Sequence, residues 1–147
     1  MAETLGKIAK IKNPRKWGVK MSKRNEYAIQ LKPLIIKGSF SELEDFLIFN
    51  SNLPGPRANL ELAYAFADCL RDIQHIDDIL WKTLNGWAKI TAEDISSDSP
   101  KEFIPFCAVQ ALGGIFSFVD SKKKEKISEL LQAAANDLRW RVREAVA

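Results

Sequence analysis

One short pattern returns three times along this chain, and it limits the possible folds more than any other feature. Leu60-x-x-Ala63-Tyr64-x-Phe66-Ala67 superposes on Pro105-x-x-Ala108-Val109-x-Ala111-Leu112, and again on Val142-x-x-Ala145-Val146. The alanine steps are 45 and then 37 residues, a spacing at which repeat proteins place one supersecondary unit. A small residue at the same turn of successive helices lets neighbouring backbones approach closely, and the larger flanking residues fill the layer between them. Stacked helical hairpins need that combination.

The rest of the chain agrees with helices. Apolar residues recur with the 3.6-residue period, as in Tyr27, Leu31, Leu34 and Ile35, or Ile127, Leu130, Leu131 and Ala134, and no segment alternates as a strand would. Start signals are Ser39 with Glu42, Ser99-Pro100-Lys101-Glu102, and Thr91 with Asp94. In each, a side-chain oxygen can accept from an orphan N–H of the first turn. Gly38, the Asn52 to Pro56 turn, the loop from Ile95 to Ser99 and Asn136-Asp137 are stop signals. These marks predict about eight helices, near 2–11, 22–37, 39–50, 57–72, 73–90, 101–119, 121–135 and 138 onward. Pro33 should kink the second. Gly113-Gly114 should either admit a close neighbour or bend its helix.

The C-terminal stretch Asp137-x-Arg139-Trp140-Arg141-Val142-Arg143-Glu144-Ala145-Val146-Ala147 resembles the second helix of a HEAT or HEAT-like repeat. In that family an Asp lies in the turn within the hairpin, a valine and an alanine face the core, and an arginine follows the valine. Asp137, Val142, Arg143 and Ala145 fit. Earlier units depart from the pattern: Gly55 and Pro100 stand at the turn, Glu61 and Phe106 replace the arginine, and Pro105 replaces the valine. The resemblance spans residues 39–147 as about three hairpins. It implies an all-α, armadillo-like fold, a right-handed α-α superhelix or helical hairpin solenoid whose units bury themselves against their neighbours. The last helix lacks the Leu or Phe that earlier units carry one turn later, at Phe66 and Leu112, so the expectation is a piece of a longer array.

Composition narrows the function classes. The formal net charge is only +3, yet residues 1–25 hold eight Lys or Arg against one acid, Glu3, and residues 26–147 are net acidic. The division is therefore a basic N-terminal segment, 1–25, ahead of a HEAT-like domain, 26–147. Apolar runs such as Phe103 to Val109 fall far short of the roughly 18 residues of a membrane span, and the N-terminus has no secretory signal core, so the expected location is cytoplasmic. Cys69 and Cys107 fall inside apolar helical patterns, as buried free thiols do.

No motif points to catalysis or to a cofactor. His75 is the one histidine and does not share a helix face with Cys69, so no metal is expected. Asp68, Asp72, Asp77 and Asp78 cluster where two helices meet, as exposed charges at helix ends do. Lys122-Lys123-Lys124-Glu125-Lys126 is expected to be a solvated face. Trp87 belongs to an apolar stripe, whereas Trp81 lies off it and Trp140 stands between two arginines. The candidate partner-binding residues are Trp81, Arg139, Trp140, Arg141 and Arg143.

A second candidate surface is the polyanion-binding tail, Lys10, Lys12, Arg15, Lys16, Trp17, Lys20, Lys23 and Arg24, where clustered cations with an interleaved aromatic suit phosphates and bases. The leading reading is a non-catalytic scaffold that holds a protein or peptide on the concave face formed by the second helices. The alternative is nucleic-acid binding of the kind the resemblance implies for the HEAT-like DNA alkylation-repair glycosylases, which hold duplex DNA on a basic concave face. No glycosylase catalytic motif matches residue by residue.

Overall fold

The computed structural model describes residues 21–95, 99–137 and 139–146, without the side chain of Trp140. The expected helix at 2–11 and the tail residues Lys10, Lys12, Arg15, Lys16, Trp17 and Lys20 lie outside the described residues. Within them the chain is all helical: α1 (Lys23–Lys37), α2 (Phe40–Phe49), α3 (Leu60–Ile73), α4 (Asp78–Ala88), α5 (Phe103–Ile115), α6 (Ser121–Ala135) and α7 (Trp140–Val146). Short 3-10 turns, Pro100–Glu102 and Phe116–Phe118, flank α5.

Local chemistry sets most of these ends. Ser22 caps α1 by accepting from the Asn25 N–H at 3.1 Å, and Gly38 closes it in the left-handed region at φ 71°, donating to the Ile35 carbonyl at 3.1 Å. An L side chain there would be strained. Asn59, Asp77 and Asp120 cap α3, α4 and α6 by accepting from the N–H three residues on. Pro33 sits inside α1 without ending it, on an exposed face.

Two expected starts differ. Ser39 makes no side-chain cap bond. The Gly38 reversal leaves it at ψ 64°, away from the extended backbone a capping hydroxyl needs. Thr91 and Asp94 do bond reciprocally, hydroxyl to carboxylate at 3.0 Å and Asp94 N–H to the Thr91 hydroxyl at 3.4 Å, but they close a turn at 92–94 rather than open a helix. The fourth helix of the described chain begins at Asp78, five residues later than the periodicity predicts, because Gln74 ends α3 in the left-handed region at φ 53°.

Helix α5 is the hub. Ten of its 13 residues are buried, so most of its circumference must be covered by neighbouring helices, and only the strip at Gln110, Gly113 and Gly114 is left more open. It packs against α3, α4 and α7, with smaller contacts to α2 and α6. Its neighbour α3 also packs along α1, and α6 lies against α7. The helices of the repeat, α3, α5 and α7, are thus adjacent in chain order, and Ala63, Ala108 and Ala145 are all buried. Gly114 explains half of the glycine pair. A Cβ there would lie 3.5 Å from the Ala67 Cβ, so α5 and α3 meet at van der Waals distance. The core between them is aromatic, with Phe66, Phe103 and Phe106 buried and Trp87 6.1 Å from Phe66 between ring centroids. Truncating a buried phenylalanine of this kind costs about 3–5 kcal/mol.

Candidate interaction groove

A groove of about 420 Å³ runs across α3, α5 and α7 and is flanked by α1 and α6. The residue after each alanine of the recurring sequence pattern (Tyr64, Val109 and Val146) is among those that line it. Ala67, Gly113 and Gly114 keep it shallow, and Gln110 fixes one end by donating from Nε2 to the Ala145 carbonyl at 2.8 Å.

The rim is cationic. Arg24 of α1 grips Asp68 of α3 with two hydrogen bonds, Nε to Oδ2 at 2.5 Å and an Nη to Oδ1 at 2.7 Å, and Arg71 donates to the same carboxylate. The Arg24 guanidinium also stands 5.2 Å from the centre of the Tyr64 ring, a cation–π distance. The Arg24 hydrogen bonds, followed by those of Arg71, hold the Asp68 carboxyl below its ordinary value despite partial burial. The same pairing raises Arg24. One carboxylate thus lies between two guanidiniums, and the rim keeps a net positive charge.

This arrangement revises the tail reading at two positions. Lys23 and Arg24 are the first residues of α1. Lys23 is exposed and 4.0 Å from Glu26, and Arg24 is bonded to Asp68 of α3. The domain's first helix therefore takes in residues that the charge pattern assigns to the tail.

A larger revision concerns the arginines of α7 and its approach. Arg139 is 1% exposed and Arg141 3%, so neither offers a guanidinium to a partner. Arg139 binds both oxygens of Asp137 at 2.9 Å and donates to the carbonyls of Ile95 at 3.0 Å and Ile90 at 2.5 Å. It ties the start of α7 to the loop after α4. The Arg139 bonds hold the Asp137 carboxyl below its ordinary value. Arg141 reaches buried Glu102 at 3.4 Å and the Gly55 carbonyl at 2.7 Å, joining α7 to the 3-10 turn before α5 and to the loop between α2 and α3. Two arginines separated by one residue in a chain end that reads as an exposed helix thus act as internal braces. Nothing in local spacing distinguishes the two cases.

The other candidates are spread out. Arg143 is exposed and donates to the Asp137 carbonyl at 2.6 Å. Trp81 is half-buried on a different face, under the Lys123 ammonium at 5.5 Å, in a recess of about 540 Å³ with Asn85 and Lys126. The Trp140 side chain is outside the described part. Trp81 and Arg143 therefore do not share a site with the groove, and sequence reasoning missed Arg71, Gln110 and the outward role of Gly113. The residues that follow the three alanines, Tyr64, Val109 and Val146, mark the groove's face in the sequence, but nothing there points to Arg71.

Reactive groups are quiet. Cys69 and Cys107 are buried free thiols. Burial pushes Cys69 up to about 11 and Cys107 well above its ordinary value. His75 is exposed. Among the described residues no three His, Cys, Asp or Glu side chains gather as a metal site would require, and no helix is long and apolar enough to cross a membrane. No family model, curated protein or solved structure matches the chain.

Proposed function

We propose that this chain is a non-catalytic interaction module, a right-handed α-α superhelix of HEAT-like hairpins that holds a protein or peptide partner on the face formed by α3, α5 and α7. The observation that carries the reading is the groove itself, which spans α3, α5 and α7, the helices that carry the recurring small-residue pattern. Support also comes from its walls, where Tyr64, Leu131 and Val146 set apolar surface beside two guanidiniums, the mixture that peptide sites use. The test is recovery of a single partner by the intact chain and by Tyr64→Ala. Tyr64 is 37% exposed, so its truncation leaves the core in place. Loss of that partner with an unchanged helical spectrum supports the reading, and equal recovery by both chains refutes it.

Nucleic-acid binding remains the second reading, and it draws on the charge of residues 1–25. It gains nothing from Arg139 and Arg141, which are buried. Affinity for a short duplex should then fall steeply with salt, and the slope should flatten when Lys10, Lys12, Lys16 and Lys20 are changed to Gln. A slope unaffected by those changes would move the contact to the helical domain.

A further inference from the structure

Adjacent glycines near the end of a helix are costly, about 1 kcal/mol each relative to alanine, and packing accounts for only one of them. Gly114 meets Ala67. A Cβ on Gly113 would find nothing within 4 Å. Gly113 is exposed and lines the groove, so no described neighbour in the fold requires a glycine there, whereas a ligand lying against the helix would. Close backbone approach is the usual reason for such a residue.

The rim states the chemistry of that ligand. Arg24 and Arg71 line the groove and no carboxylate does, among the described residues. Asp68 engages part of each guanidinium, and an arginine fork has further N–H donors beyond those bonds. The local charge suits one added carboxylate rather than a polyanion. A nucleic-acid strand would bring many phosphates to a domain that is net acidic over residues 26–147, and its affinity depends on neutralising several of them. The chain's own basic segment has the wrong sign for this rim. Apolar walls at Tyr64, Leu131 and Val146 suit uncharged neighbours of that carboxylate.

We propose that the groove binds an extended acidic peptide segment, with an Asp or Glu side chain held by Arg71 and Arg24 and its backbone laid across Gly113. The proposal rests on the interaction-module reading and adds the identity of the recognised group.

The probes are fluorescent nonapeptide pools of random sequence whose central residue is fixed as Asp, Gln or Lys, together with a ten-nucleotide oligo-dT, titrated against the full chain. The Asp pool should bind at least about tenfold more tightly than the Gln pool, the scale of one charge-assisted hydrogen-bond pair. That advantage should vanish in Arg71→Gln. Binding of every pool should be lost in Gly113→Leu, whose Cβ meets no atom within 4 Å, with an unchanged helical spectrum and unfolding midpoint checking that the fold is intact. Equal binding of the Asp and Gln pools with loss in Gly113→Leu overturns the acidic preference while leaving a peptide groove. An Asp advantage that survives both substitutions, binding by none of the pools, or oligo-dT that displaces the Asp pool overturns the proposal outright. In the first two of those cases the module reading is still decided separately by the Tyr64→Ala partner test.

Discussion

Two pairs of arginines behave in opposite ways. Arg139 and Arg141 are almost wholly buried and fasten backbone carbonyls and the carboxylates of Asp137 and Glu102. Arg24 and Arg71 share Asp68 at the rim of a groove, with side chains 42% and 46% exposed. The same side chain serves as an internal brace in one place and as an open cation in the other. What differs is whether neighbouring loops close over it. The loop after α4 and the loop between α2 and α3 cover the first pair, and no described element covers the second.

The comparison predicts a wide spread of stability effects. Arg141→Ala should cost about 3–5 kcal/mol, because it strips a buried carboxylate of its counter-charge, and the denaturant midpoint reads this directly. Replacing both partners, Glu102→Leu with Arg141→Met, should recover most of that loss, since a buried pair exchanged for apolar groups is often neutral. Failure of the double variant to recover would mean that the Gly55 contact, and not the ion pair, dominates.

Next in size are the glycines. Gly114→Leu drives a side chain into Ala67 and the Arg71 stem and should destabilise by about 1–3 kcal/mol. Gly113→Ala should stabilise by about 0.5–1 kcal/mol through helix propensity alone. If both substitutions had the same sign in thermal unfolding, the two faces of α5 would not differ as described.

A smaller effect is expected in acid. The folded-state value of Asp137 lies below its ordinary one because Arg139 binds the carboxylate. Its contribution is therefore fully present above the ordinary carboxylate value of about 4 and is lost as pH falls through the depressed folded value. Stability measured from neutral pH downward should fall less steeply in that acid window in Asp137→Asn than in the natural chain. An unchanged slope would place the acid sensitivity elsewhere, at Asp68 first. The smallest effect belongs to Arg24→Ala, whose half-exposed pair should be worth about 1 kcal/mol. A larger loss would mean that the α1–α3 contact depends on that ion pair.

Much of the helical layout is legible in the sequence for local reasons. The bounds of α6, expected at 121–135, coincide with Ser121–Ala135, because its apolar stripe at Ile127, Leu130 and Ala134 meets a polar stop at Asn136. The capping box at Ser39 is equally clear as a pattern and does not form, since a backbone angle fixed by the preceding Gly38 turn overrides it. The candidate site was less legible. Trp81 and Arg143 are accessible but point to different faces, and the arginines beside Trp140 turn inward. Arg71 carries no local signature at all, being one cation in an amphipathic helix.

Sequence alone determined that this chain is helical, where most of its helices begin and end, and that one small-residue register recurs along it. Those properties depend on periodicity and caps, which act within a few residues. Only the tertiary structure decided which arginines are braces and which face a ligand, and which of two adjacent glycines a neighbouring helix requires. Burial depends on the segments that close over a residue from 39 or 86 positions away, and no short stretch of chain contains that information.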